Sequence, residues 1–188
     1  MGVSYGVPAV AIAALLGVAI GVLYNGLVAR RNRVQTAWAD IDVQLRRRHD
    51  LVPNLVESAR GYMAHERQTL EAVTQARAQA ISAGANVPAR ASAEMLLAGA
   101  IGNLFVVAER YPVLRATENM LLLQEQLTST ENRITFARQH YNDTVLEYNT
   151  AVASFPRNLF AKAFGFSSAA MFAAEEHDRG VPQADLKS

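Results

Sequence analysis

From Met1 to Ala29 no side chain carries a charge, and from Val7 to Val28 the chain is almost continuously apolar. At 1.5 Å rise per residue this stretch makes a helix of roughly 33 Å, enough to cross a bilayer, so the pattern predicts a transmembrane helix over 7–28. Tyr5 and Tyr24 fall about 28 Å apart along it, where aromatic side chains settle at the two headgroup layers. Ala9-Val10-Ala11 and Ala11-Ile12-Ala13 imitate a signal-peptide cleavage site. No Lys or Arg precedes the apolar run, however, and both candidates lie inside it, so the segment reads as an uncleaved anchor. Arg30, Arg31 and Arg33 follow at once, whereas only the terminal amine is basic before it. The positive-inside rule therefore puts residues 1–6 outside and everything after the anchor in the cytoplasm.

Beyond the anchor the pattern becomes periodic. Val34, Trp38, Ile41, Leu45, Val52, Leu55 or Val56, Ala59 and Tyr62 recur at spacings of three, four and seven, as a helix with one buried face requires. The anchor is expected to run on into this first bundle helix. Pro53 has no N–H for the His49 carbonyl, so the helix either kinks there or restarts with Asp50 as its N-cap, and a kink is the expectation. Helix is predicted again over 65–83 through Leu70, Val73, Ala76 and Ile81, then a loop over 82–90 around Gly84, Asn86 and Pro88. Ser92 is the expected cap of a helix that buries Leu97, Ile101, Leu104, Phe105 and Ala108 and stops at Tyr111-Pro112.

The clearest period runs over 117–154. Met120, Leu127, Ile134, Tyr141 and Tyr148 repeat every seven residues, with Leu123, Thr130, Ala137, Thr144 and Ala151 three further on, a coiled-coil-like seam. Phe155-Pro156 ends it, an apolar stretch of Leu159, Phe160, Ala163, Phe164 and Phe166 follows, and the chain is polar from Glu175. The fold class predicted is all-α: an N-terminal transmembrane helix continuing into a long-helix antiparallel, four-helix-type bundle. The expected division is 1–6 outside, 7–28 in the membrane, 29–174 as the bundle and 175–188 as a polar tail.

Composition narrows the function. Among 188 residues, 18 Lys and Arg face 17 Asp and Glu, a formal charge of +1, so no broad basic field exists to hold nucleic acid. Cysteine is absent, which removes disulfides, thiolate metal sites and cysteine nucleophiles. The four histidines, His49, His65, His140 and His177, are dispersed. No Glu-x-x-His pair occurs, and His65-Glu66 has Thr69 where a zinc protease needs its second histidine. Phosphate loops, dinucleotide fingerprints and nucleophile elbows all need a strand leading into a helix, and no strand pattern occurs. No cofactor, metal ligand or catalytic residue is expected.

Three places remain as candidate contacts. Arg46, Arg47 and Arg48, with His49, form the densest charge cluster, about 27 Å beyond Val28 on a straight helix and so out of reach of headgroups. They read either as a solvated face pairing with Asp42 and Asp50 or as a docking surface for an acidic partner. Tyr141-Asn142 and Tyr148-Asn149 repeat across one heptad, which places the tyrosines on the seam and makes Asn142 and Asn149 flanking docking candidates. Phe160 and Phe164, in a segment that also holds Arg157 and Lys162, are candidates with Arg30, Arg31 and Arg33 for contact with the membrane surface. Folding back to close the bundle is the alternative use of that segment.

The series Tyr24-Asn25, Arg31-Asn32, Ala37-Trp38, Ile41 to Arg48, Asp50 to Glu57, Gly61-Tyr62, His65-Glu66, Ala76-Arg77, Ala108-Glu109, Tyr111-Pro112, Leu123-Gln124, Glu131 to Ile134, Ala137-Arg138, Tyr141-Asn142, Tyr148-Asn149, Phe155-Pro156 and Phe164 to Phe166 resembles the LemA family of bacterial membrane proteins. Gly99, Gly102 and Asn103 depart from it as weak helix formers. The resemblance implies a single N-terminal transmembrane helix with its short N-terminus outside and a bundle of long antiparallel helices in the cytoplasm. It implies no enzymatic activity and no catalytic residues. The expected role is that of a non-enzymatic scaffold or adaptor of the bacterial cytoplasmic membrane, with a membrane-protein partner or self-association as well as the bilayer. A lipid- or apolar-ligand-binding module is the alternative, and an enzyme using Glu, His and Tyr from facing helices ranks last.

Overall fold

A computed structural model describes residues 6–172; Tyr5, His177 and the polar tail from Glu175 lie outside the described residues. The described chain is all-α: α1 (Gly6–Arg60), α2 (Arg67–Ser82), α3 (Val87–Ala108), α4 (Pro112–Arg115), α5 (Glu118–Ala153) and α6 (Arg157–Ala163). It groups into two compact units. Residues 6–42 with 135–170 form one, and residues 43–134 with 171–172 form the other.

In the first unit the seam of α5 meets α1. Leu27, Val34, Ala37 and Ile41 are buried on α1, and Tyr141, Thr144, Val145, Tyr148 and Ala151 on α5. Trp38 and Tyr141 pack ring against ring at 5.5 Å. After α6 the chain turns at Gly165, whose φ of 72° lies in the left-handed region open to glycine. Phe166 N–H donates to the Ala161 carbonyl at 2.8 Å and Gly165 N–H to that of Lys162 at 3.4 Å, the paired bonds of a Schellman C-cap. The chain then returns along α5. Tyr148 Oη donates to Ser167 O at 2.9 Å and Tyr141 Oη to Ala170 O at 2.8 Å.

The second unit is a four-helix-type bundle of the C-terminal part of α1, α2, α3 and the N-terminal part of α5. Val52, Leu55, Ala59, Met63, Val73, Leu97, Leu104 and Leu127 belong to its core. α1 passes through Pro53 without ending, so the restart at Asp50 does not occur. The His49 carbonyl that Pro53 leaves without its intrahelical partner accepts instead from Arg77 Nε on α2 at 2.8 Å.

Three boundaries differ from expectation. α1 ends at Arg60, and a turn closed by Met63 N–H on the Ala59 carbonyl at 2.9 Å separates it from α2. Tyr62 therefore leaves the helix and stands exposed, while Met63 takes the core position. α3 starts at Val87 and not after Ser92, because Asn86 Oδ1 accepts from Ala89 N–H at 3.0 Å. Pro88 sits in that first turn, where the N–H it lacks has no intrahelical acceptor in any case. Finally, α3 ends at Ala108 and Pro112 opens α4 rather than only stopping a helix.

α1 and α3 are both long and apolar enough to cross a membrane by length and composition. They differ in cover. α1 is bare from Pro8 to Ala19, whereas α3 buries Leu97, Ile101 and Leu104 in the bundle and holds an ion-paired Glu94.

Candidate functional site

Charge should sit on the outside of a bundle unless it is paired. Yet Arg48, His49 and Glu94 in the second unit are 3%, 6% and 3% exposed. Arg48 Nη2 donates to Glu94 Oε2 and, at 3.2 Å, to the Glu94 main-chain carbonyl. Arg48 Nη1 donates to Glu131 Oε2 at 2.7 Å. His49 Nε2 lies 2.8 Å from Glu94 Oε1. An ionised carboxylate can only accept, so His49 Nε2–H is the donor of this bond. With Arg77 on the His49 carbonyl, α1, α2, α3 and α5 each contribute to one connected network.

Burial alone pushes the Glu94 carboxyl up, but the His49 hydrogen bond and the Arg48 charge and hydrogen bond outweigh it. The carboxyl consequently sits below its ordinary range. Both of its oxygens have donors, which leaves it ionised and internally satisfied. A cleft of about 260 Å³ lies beside the network, lined by Arg48 and Glu131 with Ile101, Phe105 and Leu127 among its apolar walls. Glu94 and His49 do not line it. Among the described residues no group of three His, Asp or Glu is placed to hold a metal ion.

The expected contact residues separate on this evidence. Arg46 and Arg47 are exposed, but Arg48, expected beside them on a docking face, is buried by its two carboxylates. The split follows the helix face, since Arg48 lies three residues after the buried Leu45 and four before the buried Val52, on the side of α1 that faces the core. Asn142 is half-buried. Asn149 is committed to the returning chain: its Nδ2 donates to Ala169 O at 2.9 Å and its Oδ1 accepts from Ala169 N–H at 2.8 Å. Arg31 and Arg33 are exposed, while Arg30 donates to the Gly26 carbonyl at 3.1 Å. Phe160 is half-buried and Phe164 half-exposed, with the Phe164 ring 5.2 Å from that of Tyr24.

Glu94 was absent from the expected residues although the sequence carried a signal for it. It is the sole charge between Arg90 and Glu109. A carboxylate in so apolar a helix must find a cation, and the arginine run on α1 supplies one.

The model of the LemA family matches residues 37–185, most of the chain. The chain belongs to the LemA family. Among its relatives, Protein LemA of Metamycoplasma hominis is 24% identical over 177 residues, 90% of this chain and 81% of that protein. Magnetosome protein MamQ 2 of Paramagnetospirillum magneticum is 24% identical over 174 residues, and magnetosome protein MamQ of Magnetospirillum gryphiswaldense 22%. These matches take in 79% of this LemA-family chain but 64% of either MamQ, so the chain spans less than two thirds of their length. The family match includes Arg48, His49, Arg77, Glu94 and Glu131, and leaves the bare apolar part of α1 outside it.

Proposed function

We propose that this LemA-family protein is a membrane-anchored scaffold or adaptor of the bacterial cytoplasmic membrane, acting through protein contacts of its cytoplasmic bundle and carrying out no chemistry of its own. The observation that carries the reading is α1. It is one helix from Gly6 to Arg60, charge-free up to Ala29, bare from Pro8 to Ala19 and core-forming from Val34 to Ala59. Such an element ties a helical surface to the membrane.

The polar network supports a structural use of its charges. Catalytic acids and bases need a reacting atom within hydrogen-bond reach. Glu94 and His49 are instead occupied by one another and by Arg48, away from the lining of the cleft. The exposed Arg47 is the docking candidate for an acidic partner.

A photo-crosslinking probe replacing Arg47 in living cells is expected to give one discrete adduct, with a membrane protein or with a second copy of the chain. A smear of unrelated neighbours, or none from any exposed bundle position, rejects the scaffold. The cysteine-free sequence also makes the orientation measurable. Cysteine at Ser4 should react with an impermeant maleimide on intact spheroplasts and cysteine at Ser129 should not; the reverse pattern rejects the cytoplasmic placement.

A further inference from the structure

A helix fills a hydrocarbon core of about 30 Å with roughly 20 residues. The bare part of α1, Pro8 to Ala19, supplies only about 18 Å of that. From Ile20 onward its own unit covers one side of it: Ile20, Gly21, Leu23 and Gly26 are half-buried and Leu27 is 0% exposed, while Val22 on the other side is still 67% exposed. Seating the anchor at full depth therefore brings whatever packs beside Tyr24 to the membrane boundary.

Phe164 and Phe166 pack there, their rings 5.2 and 5.7 Å from that of Tyr24, edge to face. The segment leading into them buries Ala161 but leaves large apolar side chains uncovered. Phe155 is 79%, Leu159 62% and Phe164 50% exposed, a poor arrangement for side chains left in water. Charge agrees. Residues 1–39 and 148–174 contain no Asp or Glu, while Arg30, Arg31, Arg33, Arg157 and Lys162 lie within them. The nearest carboxylates in sequence are Asp40 on α1, Glu147 on α5 and Glu175, which lies outside the described residues. The boundary of the unit is thus cationic, and the surface it suits is anionic.

We infer that the segment from Phe155 to Phe164, including α6, is a second membrane contact, which lays Phe155, Leu159 and Phe164 into the headgroup layer of an anionic leaflet with Arg157 and Lys162 on the phosphates. The inference rests on the reading of α1 as a membrane anchor. It gives the protein two points on the membrane. One is the anchor; the other is a surface ledge that holds the unit against the leaflet and restricts its rotation about the anchor. Apolar side chains in such a position sit about 5–10 Å into the interface, and nearby basic residues respond to anionic lipid.

The test uses the full chain, carrying a single environment-sensitive fluorophore on Leu159→Cys, in phosphatidylcholine vesicles with and without phosphatidylglycerol. Companion labels go on Leu15→Cys in the anchor and on Phe136→Cys, a position 71% exposed on α5 in the same unit and about 28 Å along that helix from Phe155. Expected at Leu159 is blue-shifted emission, quenched several-fold more by lipid spin-labelled near the headgroup than by lipid labelled at the chain end. Leu15 should show the reverse depth preference and Phe136 no quenching. R157E with K162E should lower the Leu159 quenching in anionic vesicles only. Unquenched Leu159 alongside quenched Leu15 overturns the ledge and leaves the anchor standing; no quenching at Leu15 overturns both. A blue shift at Leu159 without lipid quenching assigns the face to a second copy of the chain, and equal quenching at Phe136 shows unspecific adsorption. Either result rejects the proposal.

Discussion

Glu94→Ala is expected to cost roughly 3–5 kcal/mol of stability, the usual consequence of removing one partner from a buried ion pair. The loss comes from what is left behind. Arg48, 3% exposed, would keep Glu131 but lose the buried carboxylate, and the buried His49 Nε2 would lose its acceptor. Denaturant unfolding of the detergent-solubilised protein measures the effect. Replacing the group as a whole, Arg48→Met with His49→Phe and Glu94→Leu, is expected to recover most of it, because well-packed apolar side chains replace buried ion pairs at little cost. If the triple variant is no better than Glu94→Ala, the network contributes more than internal neutralisation.

The same carboxylate sets an acid limit. Its pKa in the folded protein lies below the ordinary 4.5, so the unfolded chain takes up that proton first as pH falls. The stability Glu94 contributes is then fully present above the ordinary value and is lost as pH drops toward and through the folded one. Unfolding between neutral pH and about pH 3 should show a decline that is shallower in Glu94→Gln. Identical slopes would place the acid sensitivity in other carboxylates.

The elements that need only local geometry were the legible ones. The heptad pattern of α5 put Met120, Leu127, Ile134, Tyr141 and Tyr148 on one face, and all five are buried. The charge-free run and the periodic positions after it likewise mark α1, because solvent and core sort side chains by helix face whatever the tertiary partners are. Boundaries were less legible. Asn86 and Ser92 are both acceptable caps, and only the Ala89 N–H bond decides between them; Gly61 sits in a run whose spacing continues into Tyr62, yet the helix stops at Arg60.

The network was the least legible, since Arg48 meets Glu94 across 46 positions of sequence and no local period encodes that. An arginine triplet on a helix looks the same whether all three side chains are solvated or one is buried. The asymmetry lay on the other strand of evidence, the solitary Glu94 in an apolar helix. Asn149 repeats the lesson, because its two bonds to Ala169 depend on where the chain returns after Gly165.

A proline inside α1 without a break needs a substitute for the hydrogen bond it removes, and that substitute is expected to show as an energetic coupling between Pro53 and Arg77. Arg77→Ala in the native background should cost roughly 1.5–3 kcal/mol, as for a hydrogen bond from a charged donor to a half-buried carbonyl. Pro53→Ala restores an N–H one turn after the His49 carbonyl, so that carbonyl no longer depends on Arg77. In the Pro53→Ala background Arg77→Ala should therefore cost far less, and a double-mutant cycle should return a coupling of about 1 kcal/mol or more. Strict additivity would mean that the 2.8 Å contact from Arg77 Nε contributes nothing measurable. The coupling should also keep its size as pH falls toward 4, because its acceptor is a main-chain carbonyl and not a carboxylate. That separates it from the Glu94 effect one side chain away. His49 thus takes part in the network twice, through its carbonyl to α2 and through its ring to α3, which lets the residue four before Pro53 draw both helices onto α1.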